Sequence, residues 1–382
     1  IIAGMGCAGL GLAVHMHREG LLRDRTLLMV DCDPKRLNDR TWCFWETGAG
    51  PFESLVSHRW EQAWFHAEGY SGRKDLAPYA YKMIRGIDYY EYCLSQLREI
   101  PNVTILLEQV DDIRQDEGHA IMEAGGKTYR AGFLFNSILF GKLQPLPGDH
   151  LLLQHFKGWI IRLPEDRFDP KEATLMDFRP DQGQGTTFVY VMPFDRRTAL
   201  VEYTLFTAAL LEQEAYDEGL KAYITEQLGC PAYEVLDEEF GVIPMTTMQF
   251  PADEGRIIHI GTAGGQTKAS SGYTFTFIQR HAARIVSALS ATGRPPRPEP
   301  LIRKRFGWYD SVLLNILAKH VLPGWFIFRE LFRHNPTHRI FRFLDNGTSV
   351  AQEFKLMNTL PRWPFMRAGF TELLHMIRRQ KK

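Results

Sequence analysis

The chain has 382 residues, of which 45% are hydrophobic, 24% charged and 12% aromatic. That length supports a substantial core and two coupled subdomains, and the balance excludes a disordered chain, a collagen-like repeat and a disulfide miniprotein. The formal net charge of zero hides an asymmetry: from Arg294 onward 17 Lys+Arg stand against 6 Asp+Glu, while the first 293 residues carry 28 against 39.

The chain opens on Ile1-Ile2-Ala3, which reads as the end of a strand, and nothing there reads as a signal peptide. Leu10–Arg18 has helical composition, and Thr26–Val30 is a continuous apolar run of the kind a buried parallel strand requires. Asp88–Arg98 has helical periodicity, Val103–Leu107 reads as a short strand and Arg130–Leu139 as another. From about Gly148 the texture changes to long alternating strands. Thr186–Phe194 and Thr198–Phe206 flank Asp195-Arg196-Arg197 as a hairpin, and Leu210–Leu228 reads as a helix. Arg256–Ile260 returns to the buried-strand pattern, followed by a glycine-rich loop and a helix over Phe275–Ser290. Gly293-Arg294-Pro295-Pro296-Arg297-Pro298 marks a boundary, and the rest is helical and rich in Trp, Phe, Leu and Arg.

Gly4-Met5-Gly6-Cys7-Ala8-Gly9 fits G-x-G-x-x-G between a strand and a helix. Gly4 permits the tight turn, Gly6 lets the backbone approach a pyrophosphate, and Gly9 lets helix and strand pack closely. The free N–H groups of the helix start, around Cys7 and Ala8, face the anion. Asp31 ends the next strand, about 20 residues on, where a carboxylate can hold ribose hydroxyls. Late in the chain, Gly261-Thr262-Ala263-Gly264-Gly265 follows a strand, and Ser271-Gly272-Tyr273 precedes a helix. This return favours FAD over NAD, although Thr262 stands where an Asp commonly binds the ribityl chain. In Asp39-Arg40-Thr41-Trp42-Cys43-Phe44-Trp45, Arg40 is placed to neutralise a phosphate. The aromatics either wall a ligand or form a core cluster.

These readings predict an α/β fold with a Rossmann-like FAD-binding domain of the glutathione-reductase/hydroxylase type, discontinuous over 1–147 and 251–292. An antiparallel β-sheet substrate domain is inserted over 148–250. A basic, helical, membrane-facing region covers 293–382.

On the Thr198–Phe206 strand, Glu202 shares a face with Leu200 and Phe206. A carboxyl on an apolar face is desolvated, its pKa rises, and near neutral pH it can serve as a general acid. The competing reading is a solvent-facing glutamate on an edge strand. Asp237-Glu238-Glu239 is either a solvated run or the source of a second carboxylate for the same cavity. The five cysteines, Cys7, Cys32, Cys43, Cys93 and Cys230, have no Cys-x-x-Cys and read as reduced cytosolic thiols. His334 and His338 lie four apart with Pro336 between them, and no metal site is expected.

Together, Ile2–Gly9, Asp39–Trp45, Gln154–Trp159, Ala173–Arg179, Phe188–Thr204, Glu239–Met245, Gly261–Phe275 and Phe343–Ser349 resemble the bacterial lycopene cyclases, within the wider family of β- and ε-cyclases. The resemblance implies lycopene and related carotenoids as substrates. It also implies reduced FAD used without net redox change, and NAD(P)H serving to keep the flavin reduced. Leu200-Val201-Glu202-Tyr203-Thr204 is similar to the family's acidic Phe-Leu-Glu-Glu-Thr motif, so Glu202 inherits the acid–base role; Tyr203 stands at the second acid. The acid before Ile243-Pro244-Met245 falls on Glu239.

A flavin-dependent isoprenoid reductase or monooxygenase, and a noncatalytic lipid-binding flavoprotein, are the rival readings. The basic tail on an acidic body points to a negatively charged surface. No nucleic-acid motif accompanies it, so an anionic membrane is the expected partner and nucleic acid is not. No stretch of about 18 or more uncharged apolar residues occurs. The expectation is therefore a cytoplasmic protein held peripherally through the apolar Trp308–Phe332 segment, its basic flanks Arg303, Lys304, Arg305, Arg329 and Arg333, and the terminal Arg378-Arg379-Gln380-Lys381-Lys382; the competing reading is an ordinary buried helical hairpin with a solvated basic tail.

Overall fold

The expected strand–helix–strand opening is the centre of a five-stranded parallel sheet. Its order is Ile257–His259, Leu134–Asn136, Ile2–Ala3, Leu27–Asp31, Val103–Leu107. In this computed structural model residues 1–141, 143–250, 255–296 and 300–379 are described. The expectations resting on Arg297, Pro298, Gln380, Lys381, Lys382 and the start of the segment 251–292 fall outside them. So do those resting on the side chains of Arg303, Lys304 and Arg379.

Residues alternate across the sheet. Ile2 and Met29 pack under the helices Cys7–Arg18, Gly86–Arg98 and Phe275–Thr292, while Ala3 and Val30 face a small antiparallel sheet over residues 110–131. Arg130–Leu139 is therefore two strands rather than one. Lys127–Ala131 belongs to the small sheet and Leu134–Asn136 to the parallel one, with the chain turning at Gly132 between them. The helix expected over Leu210–Leu228 starts at Gln213 and ends in a π-type turn, Tyr223–Gln227.

The second large element is a seven-stranded sheet ordered Glu234–Thr246, Leu151–Arg162, Thr198–Thr207, Thr186–Pro193, Glu172–Asp177, Gln62–Ala67, Tyr70–Asp75. Its last two strands come from the first hundred residues, and Gln62–Ala67 joins it parallel to Glu172–Asp177. One face, with Val201, Tyr203 and Leu205, is covered by Tyr216, Leu220, Tyr223 and Ile224 of the 213–227 helix.

The other face, with Leu200, Phe206, Phe188 and Tyr190, needs a larger cover. The C-terminal helices supply it: Leu314, Ile316, Leu317, Ile327, Phe328, Leu331 and Phe332 are buried in one core with the sheet. The Trp308–Phe332 segment is thus not a lipid-facing pair of helices. An open apolar sheet face binds those side chains first. Among the described residues no helix is long and apolar enough to cross a membrane.

Candidate active site

The glycine turn sits at the C-terminal ends of the parallel strands. A Cβ at Gly9 would lie 2.0 Å from the Gly4 carbonyl oxygen, so only glycine lets the helix seat against the turn. A Cβ at Gly6 would meet nothing within 4 Å, and no side chain caps the helix that starts at Cys7. The first-turn N–H groups therefore open into a cradle suited to an anion. Burial pushes the Cys7 thiol up to about 12, so it lines the turn as a neutral group. Asp31 braces the same turn: its Oδ2 accepts the Met5 N–H at 2.6 Å and its Oδ1 the Asp33 N–H at 2.9 Å.

A cavity of about 420 Å³ runs from this cradle to the seven-stranded sheet. Gly6, Cys7, Ala8, Arg40, Glu202, Glu239, Gly261, Thr262 and Gly272 all line it. Gly4, Gly9, Asp31, Gly264 and Gly265 are not on its wall. Among the described residues Arg40, paired with Asp39 at 2.8 Å, is the cationic side chain lining it. Trp42 lines the cavity too. Phe44 stacks on Phe275 at 4.4 Å and Trp45 on Phe341 at 4.5 Å, so of these aromatics Phe44 and Trp45 belong to the core.

At the sheet end, four residues form a row across adjacent strands: Tyr190, Glu202, Gly158 and Glu239, each in register with the next. Strands lie about 4.8 Å apart, which sets the two glutamate backbones about 10 Å apart across Gly158. A Cβ on Gly158 would come within 3.1 Å of Glu239 Cγ and 3.0 Å of Leu200 Cδ1. The bare glycine is the gap over which the two carboxyls converge.

Glu202 is 9% exposed, and its Oε1 accepts the Thr204 hydroxyl at 2.9 Å. Glu239 is half-buried; its Oε2 accepts the Thr41 hydroxyl at 2.6 Å, and its inaccessible Oε1 has no N–H or hydroxyl donor. Burial, then the charge of Glu239, push Glu202 well above the ordinary carboxyl range. Burial also raises Glu239, opposed by the hydrogen bonds from Thr41 and Glu202. Both carboxyls are thus shifted toward the neutral form, Glu202 the more strongly, which makes Glu202 the better proton donor of the two and Glu239 the better acceptor.

Beside the pair, the Tyr81 and Tyr273 hydroxyls lie 3.1 Å apart, and Tyr190 hydrogen-bonds Tyr273. Burial raises all three phenols, so they stay neutral. The Cys43 thiol, donating to Met192 Sδ at 3.4 Å, is likewise pushed up by burial and by the two glutamates. Gly158, Tyr81 and Tyr190 were not signalled by the sequence as site residues. Tyr203, next to Glu202, faces the opposite way, under the 213–227 helix.

Chemically, the site offers a buried acid beside a second carboxyl. It has neutral aromatic walls and an anion cradle at the far end. Among the described residues no group of three or more His, Cys, Asp or Glu gathers as metal ligands.

The lycopene cyclase protein family model matches residues 1–369. Lycopene beta-cyclase of Paracoccus sp. is 24% identical over 273 residues, 66% of this chain and 69% of that protein. The chloroplastic neoxanthin synthase of Solanum tuberosum is 23% identical over 303 residues, 72% of this chain and 56% of that protein, so the match spans little more than half of it. A geranylgeranyl bacteriochlorophyll reductase-like protein of Thermoplasma acidophilum has a TM-score of 0.64 at 12% identity, covering 97% of this chain and 98% of its own. A p-nitrophenol 4-monooxygenase of Pseudomonas putida has a TM-score of 0.56 at 16% identity, covering 97% of both chains. At such identities the structural likeness is one of fold.

Proposed function

The chain belongs to the lycopene cyclase family, and we propose that it closes the ψ end groups of lycopene into β-ionone rings, with Glu202 as acid and Glu239 as its partner base. The observation that carries this reading is the placing of Glu202 and Glu239 in register on either side of Gly158, both lining the cavity beside Cys43, Tyr81, Tyr190 and Met192. Glu202 gives its proton to the terminal C1=C2 bond of the substrate, at C2. The C5=C6 bond attacks the resulting C1 cation, and the pair removes the C6 proton. One proton enters, one leaves, and no electrons are exchanged.

The cation needs a dry pocket and diffuse negative charge. Tyr81, Tyr190 and Tyr273 offer aromatic faces, and Glu239 offers a nearby carboxylate. The residues fit FAD as the dinucleotide. Gly6, Cys7 and Ala8 would hold its pyrophosphate on the helix start, Arg40 would add charge, and Gly261, Thr262 and Gly272 would face the rest. Bound in reduced form, FAD would supply additional negative charge beside the cation, with NAD(P)H as its reductant.

The test is anaerobic incubation with lycopene in lipid vesicles and dithionite-reduced FAD in heavy water. The expected product has rings, one deuterium in each, and no other change of mass. A product heavier by two hydrogens would instead assign a reductase, and one heavier by oxygen a monooxygenase.

A further inference from the structure

With most of the large apolar side chains of Trp308–Phe332 folded inward, a dense run of exposed apolar side chains remains on the last two helices, Val350–Met357 and Arg362–Arg379. On the last helix Trp363 is 81% exposed, Met366 63% and Phe370 65%, with Leu374 and Ile377 also exposed. Their spacing of three and four residues places them on one stripe about 21 Å long. On the preceding helix Phe354 is 69% exposed and Val350 62%.

The opposite side of the helix is fastened. Buried Glu372 accepts the Asn315 amide at 2.6 Å and lies 2.9 Å from His150 Nε2, and the Gly369 carbonyl accepts the Trp308 indole N–H at 3.1 Å. Trp363 and Glu372 lie half a circle apart on the helical wheel, so what anchors the helix also turns the apolar stripe outward.

Charge identifies what covers the stripe. From Val350 to Arg378 both carboxylates, Glu353 and Glu372, are buried, whereas Lys355, Arg362, Arg367 and Arg378 are exposed. At 100° per residue Arg362 borders one edge of the stripe and Arg367 and Arg378 the other. A twofold pairing with a second copy would set these cationic rims against each other. An anionic bilayer meets both demands, taking the stripe into the acyl boundary and the arginines among its headgroups.

We propose that the Val350–Met357 and Arg362–Arg379 helices form the membrane-docking face of this protein, for a lipid surface bearing negative headgroups. The test is sedimentation of the purified full chain with vesicles of phosphatidylcholine alone, or with a one-third share of phosphatidylglycerol. The wild type binds the anionic vesicles, and salt weakens that binding. The double variant Phe370→Glu/Ile377→Glu binds more than about tenfold less. The triple variant Arg362→Gln/Arg367→Gln/Arg378→Gln loses about fivefold per side chain and loses its salt dependence. The substituted side chains are exposed, and circular dichroism verifies that each variant folds.

The proposal falls if the folded wild type stays in the supernatant with anionic vesicles, or if both variants bind as the wild type does. It also falls if the wild type is a dimer that Phe370→Glu/Ile377→Glu dissociates without vesicle binding, which gives the face to a second copy. Sedimentation needs no turnover, so its failure leaves the ring chemistry standing. Failure of the ring assay with detergent-dispersed lycopene leaves the docking face standing.

Discussion

Replacing Gly158 by alanine puts one methyl group into the gap between Glu202 and Glu239. That carbon would start 3.1 Å from Glu239 Cγ and 3.0 Å from Leu200 Cδ1, against an ordinary contact of 3.4–4 Å. The neighbours must yield by a few tenths of an ångström. Leu200 is 2% exposed inside the sheet core, whereas Glu239 is half-buried on the edge strand, so Glu239 moves.

A misplacement of about 1 Å in a reacting group costs on the order of 10²-fold in rate, so a few tenths of an ångström cost on the order of several-fold. The expected result is kcat lower by about several-fold, with KM and flavin content unchanged. The pH profile gives a second readout. Activity needs Glu202 protonated and Glu239 ionised, so the upper limb reports mainly Glu202 and the lower limb mainly Glu239. Moving Glu239 away removes its charge and its hydrogen bond, two of the causes that raise Glu202. The upper limb therefore shifts to lower pH. Product chromatography from lycopene-loaded vesicles with reduced FAD, run across pH, measures both. A Gly158→Ala protein with wild-type kcat and an unmoved upper limb would refute the pairing across Gly158.

Glu202→Gln should abolish ring formation, by about 10²–10⁴-fold or more, with flavin still bound. The same substitution should stabilise the fold. A carboxyl whose folded pKa is raised favours the folded state fully only below its unfolded pKa, and that stability drains away as pH rises toward the folded value. The melting advantage of Glu202→Gln should thus widen above the ordinary carboxyl range, by at most about 1.4 kcal/mol per pH unit; a constant offset across pH would contradict the buried-acid assignment. Thr41→Val removes the hydroxyl that lowers Glu239, so its pKa rises and the lower limb moves to higher pH; activity should fall more in acid than at neutral pH in the same chromatographic assay. Arg40→Gln should weaken FAD binding about tenfold, read by flavin fluorescence titration. Unchanged affinity would take Arg40 out of the cofactor site.

The glycine turn and its flanking strands were legible because each signal is local: an apolar run, a glycine spacing, an acid at the next strand's end. The face of Glu202 was legible from parity along one strand. Its meeting with Glu239 was not. That contact depends on the register of Gly158 with a strand eighty residues further on, and a shift in that ladder between Ile160 and Ile161 breaks simple counting. Gly158 carries no signal of its own, since its contribution is the space it leaves. The apolar C-terminal helices were visible as apolar, but composition does not say which of them covers a sheet. That was decided by Phe188, Leu200 and Phe206, whose open face requires the 312–332 side chains and leaves Trp363 and Phe370 outside.

In the proposed cycle Glu202 and Glu239 carry one proton between them, and the charge of the cavity is conserved. In that cycle the pair carries one negative charge before substrate is protonated. When the proton moves to a hydrocarbon, two carboxylates face one cation, and the sum is still minus one. When the ring loses a proton back to the pair, the sum is unchanged again. No ion has to cross the wall at any stage, and no water has to enter to screen a new net charge. The proposed ring closure therefore needs no solvent while the carbocation exists, and the pair exchanges its proton with solvent between rings, as one deuterium in each ring requires.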